Sequence, residues 1–186
     1  MIEVDRHSSF KKLIRVTAYV IRFVNNCRYA EKTRGSLESH EINAATKQLI
    51  RDVQSQQYPE IKQYLCQGGH RPNLVRQLDL FLDDNKLIRC RGRLLNAPLL
   101  DCTKFPYLLP ANDTLTNLIV MDAHVTHLHS GVEGTVTILR HKFWIPSIRQ
   151  CVRKVIHACV TCREVTSRPY RIPDRIPDPL RCQPTA

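Results

Sequence analysis

The chain has 186 residues, 42% of them hydrophobic, which is enough for one domain or two small ones with a buried core. Its 28 basic residues exceed the 17 acidic ones by 11, an imbalance that calls for a polyanionic partner, most commonly nucleic acid. No stretch approaches the roughly 18 uninterrupted apolar residues of a membrane span, and the opening "MIEVDRHSSFKK" lacks the apolar run of a signal peptide. The expected setting is intracellular, reducing and free of membrane. There, closely spaced cysteines among the eight favour metal ligation over disulfides.

Residues 1–64 read as a helical segment. In 8–27, Phe10, Leu13, Ile14, Ala18, Ile21 and Val24 form a helical stripe, with Ser8 or Ser9 as the cap. After the polar linker "RYAEKTRGSLES", a second amphipathic helix covers 39–56 through Ile42, Ala45, Leu49, Ile50 and Val53. "YPEIKQYL" continues it as a short helix with Pro59 in the first turn.

Residues 65–112 read as a small antiparallel β unit. "CQGGHRPNLVR" (66–76) is loop-like because of Gly68, Gly69 and Pro72. "LFLDDNKLIRCRGRLL" carries a turn signal at Asp83–Asn85 between apolar runs. Pro106 and Pro110 restrict "FPYLLP" to an edge strand.

The helical period returns over 113–166. Asp113 or Thr114 caps a helix running to about 128, with Leu115, Leu118 and Ile119 on one face, and "TVTILRHKF" forms a short helix after Gly131–Gly134. Ile148, Cys151, Val152, Val155, Ile156 and Cys159 mark one continuous stripe on a helix over 147–158. Trp144, beside Phe143 and before a Pro-initiated helix, reads as a core plug rather than a base-stacking residue. Cys151 lies within the stripe and reads as a packed thiol. The tail, 167–186, is an extended proline-rich linker.

Cys159 and Cys162 make a C-x2-C pair at the end of that last helix, and "HVTHLH" offers His124, His127 and His129 about thirty residues earlier. Structural zinc takes four such ligands, often as two local pairs. Two imidazoles and two thiolates thus specify one structural Zn2+, with His127 competing for either histidine position. Cys66 and His70 lack two further local ligands, and Cys27, Cys90, Cys102 and Cys182 have no evident partner. Asp83, Asp84, Asp101, Asp113 and Asp122 fall in turns or caps, so no carboxylate cluster marks a catalytic centre.

With these motifs in view, 118–163 resembles the His-His-Cys-Cys zinc-binding N-terminal domain of retroelement integrases, most closely those of BEL/Pao-type retrotransposons. The resemblance rests on His124, His129-Ser130-Gly131, Thr135 to Arg140, Phe143-Trp144-Ile145-Pro146, Cys159 and Cys162. It selects His124, His129, Cys159 and Cys162 as the ligands and demotes His127. Less specific likeness extends upstream through "LIRVTAYVIRFVNN", "EINAATKQLIRDVQ" and "FLDDNKLIRCRGRLLNAPLL" to the region that precedes this domain in Pao polyproteins.

Family members place an Asp/Asp/Glu catalytic core after the zinc domain. Here "IPDPLRCQPTA" only loosely resembles the linker into that core, and the chain stops where the core is expected, so no catalytic residue is assigned.

Between 140 and 181, ten basic residues face three acidic ones, concentrating the positive charge at this end. Arg140, Lys142, Arg149, Arg153, Lys154 and Arg163 are the candidate DNA contacts, non-specific because phosphates carry no sequence information. The bland reading of these charges is a solvated helix face. The expectation is an α+β chain with a zinc-stabilised domain of three to four helices and an extended tail. Functionally it reads as a non-catalytic integrase-type module that binds DNA, in the nucleus when it does so, and supports self-association or assembly with a catalytic core. The rivals are a transposon-derived protein-interaction adaptor with purely structural zinc, and a fragment of an active integrase.

Overall fold

A computed structural model describes residues 4–29, 32–92, 98 and 101–167, with backbone alone at 101 and 102. The expected C-terminal linker, with the basic residues Arg168, Arg171, Arg175 and Arg181 and with Cys182, lies outside these residues, as does the Cys102 side chain. A short 3-10 turn, Val4–Arg6, precedes α1 (Phe10–Arg28), α2 (Ser39–Gln57), α3 (Pro59–Gln67) and α4 (Asn73–Leu78). The hairpin strands β1 (Leu80–Leu82) and β2 (Ile88–Cys90) follow, then α5 (Asp101–Lys104) and β3 (Tyr107–Leu108). The remainder is α6 (Thr114–Thr126), α7 (Val132–Arg140), β4 (Phe143–Trp144), α8 (Ile148–Ala158) and α9 (Val160–Thr166). The fold is mixed α and β, as the sequence periods predict.

The expected helical stripes become the core. Leu13, Ile14 and Ala18 of α1 and Ala45, Leu49, Ile50 and Val53 of α2 are buried together with Leu115, Ile119, Val120, Val136, Leu139, Val152 and Val155. One apolar cluster therefore joins the N-terminal helices to α6, α7 and α8. A second, smaller one unites Ile61, Val75, Leu80, Ile88, Cys90 and Leu108. The sheet lies between them. Leu87 and Leu109 enter the first cluster while their neighbours Ile88 and Leu108 enter the second, which is the two-residue alternation of a strand.

Two local expectations change, and the α1 cap falls on one of its two expected positions. Asn73–Leu78 is helical although the loop expected over 66–76 overlaps its first four residues; Pro72 is its N-cap. Ser9 occupies the N-cap of α1 without a side-chain cap bond. And β3 is not an edge strand: the sheet order is β1-β2-β3-β4, with β3 antiparallel to β2 and parallel to β4. Pro106 and Pro110 permit this because they flank a strand of two residues and are asked for no ladder N–H. The donors come from Tyr107 and Leu109, whose N–H groups reach the carbonyls of Lys142 and Trp144 at 2.9 Å.

Two polar residues lock the layers. Gln54, 1% exposed, donates from Nε2 to the carbonyls of Ile88 (2.9 Å) and Leu108 (2.8 Å) and accepts at Oε1 from the Ile88 N–H (2.8 Å). Buried Arg22 pairs with Glu41 and donates to the Gly35 and Ser36 carbonyls, tying the α1–α2 connection down. The guanidinium, aided by the Glu38 backbone N–H, holds the Glu41 carboxyl down at about 2.

Candidate metal centre

The site begins at the end of α6. Asp113 starts this helix by accepting the Leu115 N–H at 2.8 Å, which fixes its register. One face carries Leu115, Ile119 and Val120 into the core, and the same burial brings His124 to zero exposure in the last turn. The helix then stops because Leu128 and His129 both take left-handed φ values, 55° and 56°. The His129 N–H turns back to the His124 carbonyl at 2.9 Å and the Ser130 N–H to that of His127 at 3.1 Å. This reversal folds the second imidazole over the first. The two rings stand at 90° with centroids 4.8 Å apart.

The thiols arrive from the other side. The buried stripe of α8 seats that helix on α6 and α7, and its C-cap, Cys159, is also the N-cap of α9. Cys162 follows in the first turn of α9. Cys159 is 6% exposed and Cys162 is half-buried. Burial and the facing Cys159 thiol push the Cys162 thiol above its ordinary value, so taking up a metal must drive a proton off.

These four side chains converge. His124 Nε2 lies 3.1 Å from His129 Nδ1 and 3.2 Å from Cys162 Sγ. His129 Nδ1 lies 3.4 Å from Cys159 Sγ and 3.6 Å from Cys162 Sγ. All four ligand atoms fall within 4.8 Å of one another. A tetrahedral zinc with bonds of about 2.0–2.3 Å separates its ligand atoms by about 3.3–3.8 Å. The donor set and its spacing fit one structural Zn2+, held by His124 through Nε2, His129 through Nδ1, and both cysteines. Among the described residues, no other group of three or more His, Cys, Asp or Glu has this closeness.

Residues 111–168 match the family of integrase zinc binding domains. No curated protein and no solved structure matches the chain. The matched residues contain α6, α7, α8 and α9, within the three to four helices expected. His127 is exposed and outside the ligand group, as are Cys66 and His70. Cys151 is buried and its thiol donates to the Ala111 carbonyl at 3.4 Å, the packed role expected of it.

Around the ligands lies a shell that sequence reasoning missed. His124 Nδ1–H donates to the Ser130 carbonyl at 2.9 Å, and the fully buried Thr135 hydroxyl donates to the same oxygen at 3.1 Å. Such a bond fixes which imidazole nitrogen faces the metal. Gly134 allows the approach, since a Cβ there would meet Ser130 Cβ at 3.3 Å. The only sequence signal was the Ser-Gly step itself, which does not say where its carbonyl points.

Two expectations about exposed groups need correction. Trp144 is not a core plug: it is 42% exposed. In the strand β4, Phe143 and the following Ile145 face the core, so the residue between them faces outward. Arg149 is not free, because it pairs with Glu133 at 3.0 and 3.3 Å. Arg140, Lys142, Arg153, Lys154 and Arg163 are all exposed. No helix is long and apolar enough to cross a membrane.

Proposed function

We propose that this chain is the non-catalytic zinc-binding module of an integrase from a BEL/Pao-type retrotransposon polyprotein, and that it holds DNA in the nucleus by non-specific phosphate contacts. The lineage is supported by the ordered motifs from His124 to Cys162 and by the likeness upstream of them. The observation that carries the DNA reading is charge segregation on the metal-tied helices. The α8 helix buries Ile148, Cys151, Val152 and Val155, while Arg153 and Lys154 are exposed to solvent, as are Arg140, Lys142 and Arg163. Long cations on a rigid face suit phosphates and read no base. Assembly with other copies or with a catalytic core is supported by α1, where Val16, Tyr19, Val20 and Phe23 form an exposed apolar stripe.

A salt titration on labelled duplex DNA tests the reading. The logarithm of affinity should fall linearly with that of salt, by about 0.9 per phosphate neutralised, and Arg153→Gln and Lys154→Gln should each reduce the slope by about that amount. Flat or absent binding would leave an adaptor that holds proteins together around a structural zinc. Three spaced carboxylates in sequence continuing past Ala186 would make the module the front of an active integrase.

A further inference from the structure

Phosphate contacts leave Trp144, the chain's single tryptophan, without a task. Its backbone is pinned: β4 pairs with β3, and the Trp144 carbonyl accepts the Leu109 N–H at 2.9 Å. The outward indole stands between two concavities. One, of about 560 Å³, is lined by Cys90, Arg91, Lys104, Pro106, Arg140 and Trp144 among others. The other, of about 320 Å³, shares Arg140 and Trp144 and reaches Arg149. Of the four cations, Arg91 pairs with Asp79 at 3.5 Å and Arg149 with Glu133. Lys104 and Arg140 have no ion pair among the described residues.

An exposed aromatic flanked by two cations outside any direct ion pair among the described residues, on a backbone held by a sheet, suits a flat ring that carries phosphate. Base stacking on an aromatic is sequence-tolerant, and cations beside it track the strand. A duplex cannot use the indole, because its base faces are already stacked. An acidic peptide would satisfy the cations and gain nothing from the ring.

We propose that this groove takes an unpaired nucleotide of a DNA strand, its base stacked on Trp144 and its flanking phosphates held by Arg140 and Lys104. The inference rests on the DNA-binding reading above and adds a preference for strand ends or single-stranded segments.

The lone indole is its own reporter. The zinc-loaded full chain is titrated with oligodeoxythymidylate, and the tryptophan emission should quench saturably and recover with added salt. Trp144→Leu, at a half-exposed position, should keep its zinc, weaken binding of a labelled oligodeoxythymidylate about tenfold, and change duplex affinity less than twofold. Lys104→Gln should lower the salt slope of single-strand binding by about 0.7.

Several results would overturn the groove: no quenching while labelled duplex still binds, equal weakening of both substrates by Trp144→Leu, or quenching by oligouridylate or polyglutamate but not by the DNA strand. Failure of duplex binding alone, with quenching intact, would sink the duplex reading and leave the groove standing. Failure of both would overturn both.

Discussion

His124 is wholly buried, and a buried imidazole serves a metal through one nitrogen only when the other is satisfied. The Ser130 carbonyl does this, and Thr135 holds that carbonyl in place from the next helix. Thr135→Val keeps the shape and removes the hydroxyl. It should weaken zinc about tenfold or more in a chelator competition, while Thr135→Ser retains most of the affinity. An unchanged affinity in the valine variant would mean that the turn holds His124 unaided. The ligand candidates were legible in sequence because metal chemistry restricts them to His and Cys at local spacing, and the family resemblance chose His124 and His129 over His127. The supporting carbonyl was not, because any residue could supply it.

At the scale of elements, Gln54 shows how a polar side chain can join layers. Its amide serves three backbone groups of β2 and β3 from α2, inside the boundary between the two apolar clusters. Gln54→Leu would strand those groups without water, and equilibrium denaturation should register a loss of about 3 kcal/mol. A loss below about 1 kcal/mol would mean that the strands satisfy themselves. In sequence, Gln54 sits at a helical position next to Val53 and reads as a polar edge of the stripe. The parallel pairing of β3 with β4 was equally hidden, since Tyr107–Leu108 and Phe143–Trp144 lie far apart in the chain and each is only two residues long. A period needs more residues than that to declare itself.

For the molecule as a whole, the metal site and the N-terminal helices are mechanically linked. The α9 helix buries none of its residues, so its attachment depends on Cys162 and the turn at Cys159. By contrast α6 and α8 share their core with α1 and α2. Chelation, or Cys162→Ser, should first release α9 and then lower the protection of α1 and α2 in hydrogen exchange, with one zinc per chain falling to none. Structural zinc contributes roughly 10–16 kcal/mol of apparent binding free energy in small domains, as large as a typical domain's whole net stability of about 5–15 kcal/mol. Undiminished protection in α1 and α2 would show that the shared core stands without the ion.

The sequence alone determined the long helices, the hairpin and a His/Cys ligand set still open at His127, because amphipathic periods, turn residues and metal donors are local and chemically restrictive. Tertiary structure decided what local patterns cannot encode. It completed the sheet with a strand from the zinc domain, gave Arg149 to Glu133, and turned Trp144 outward because its two neighbours had taken the core.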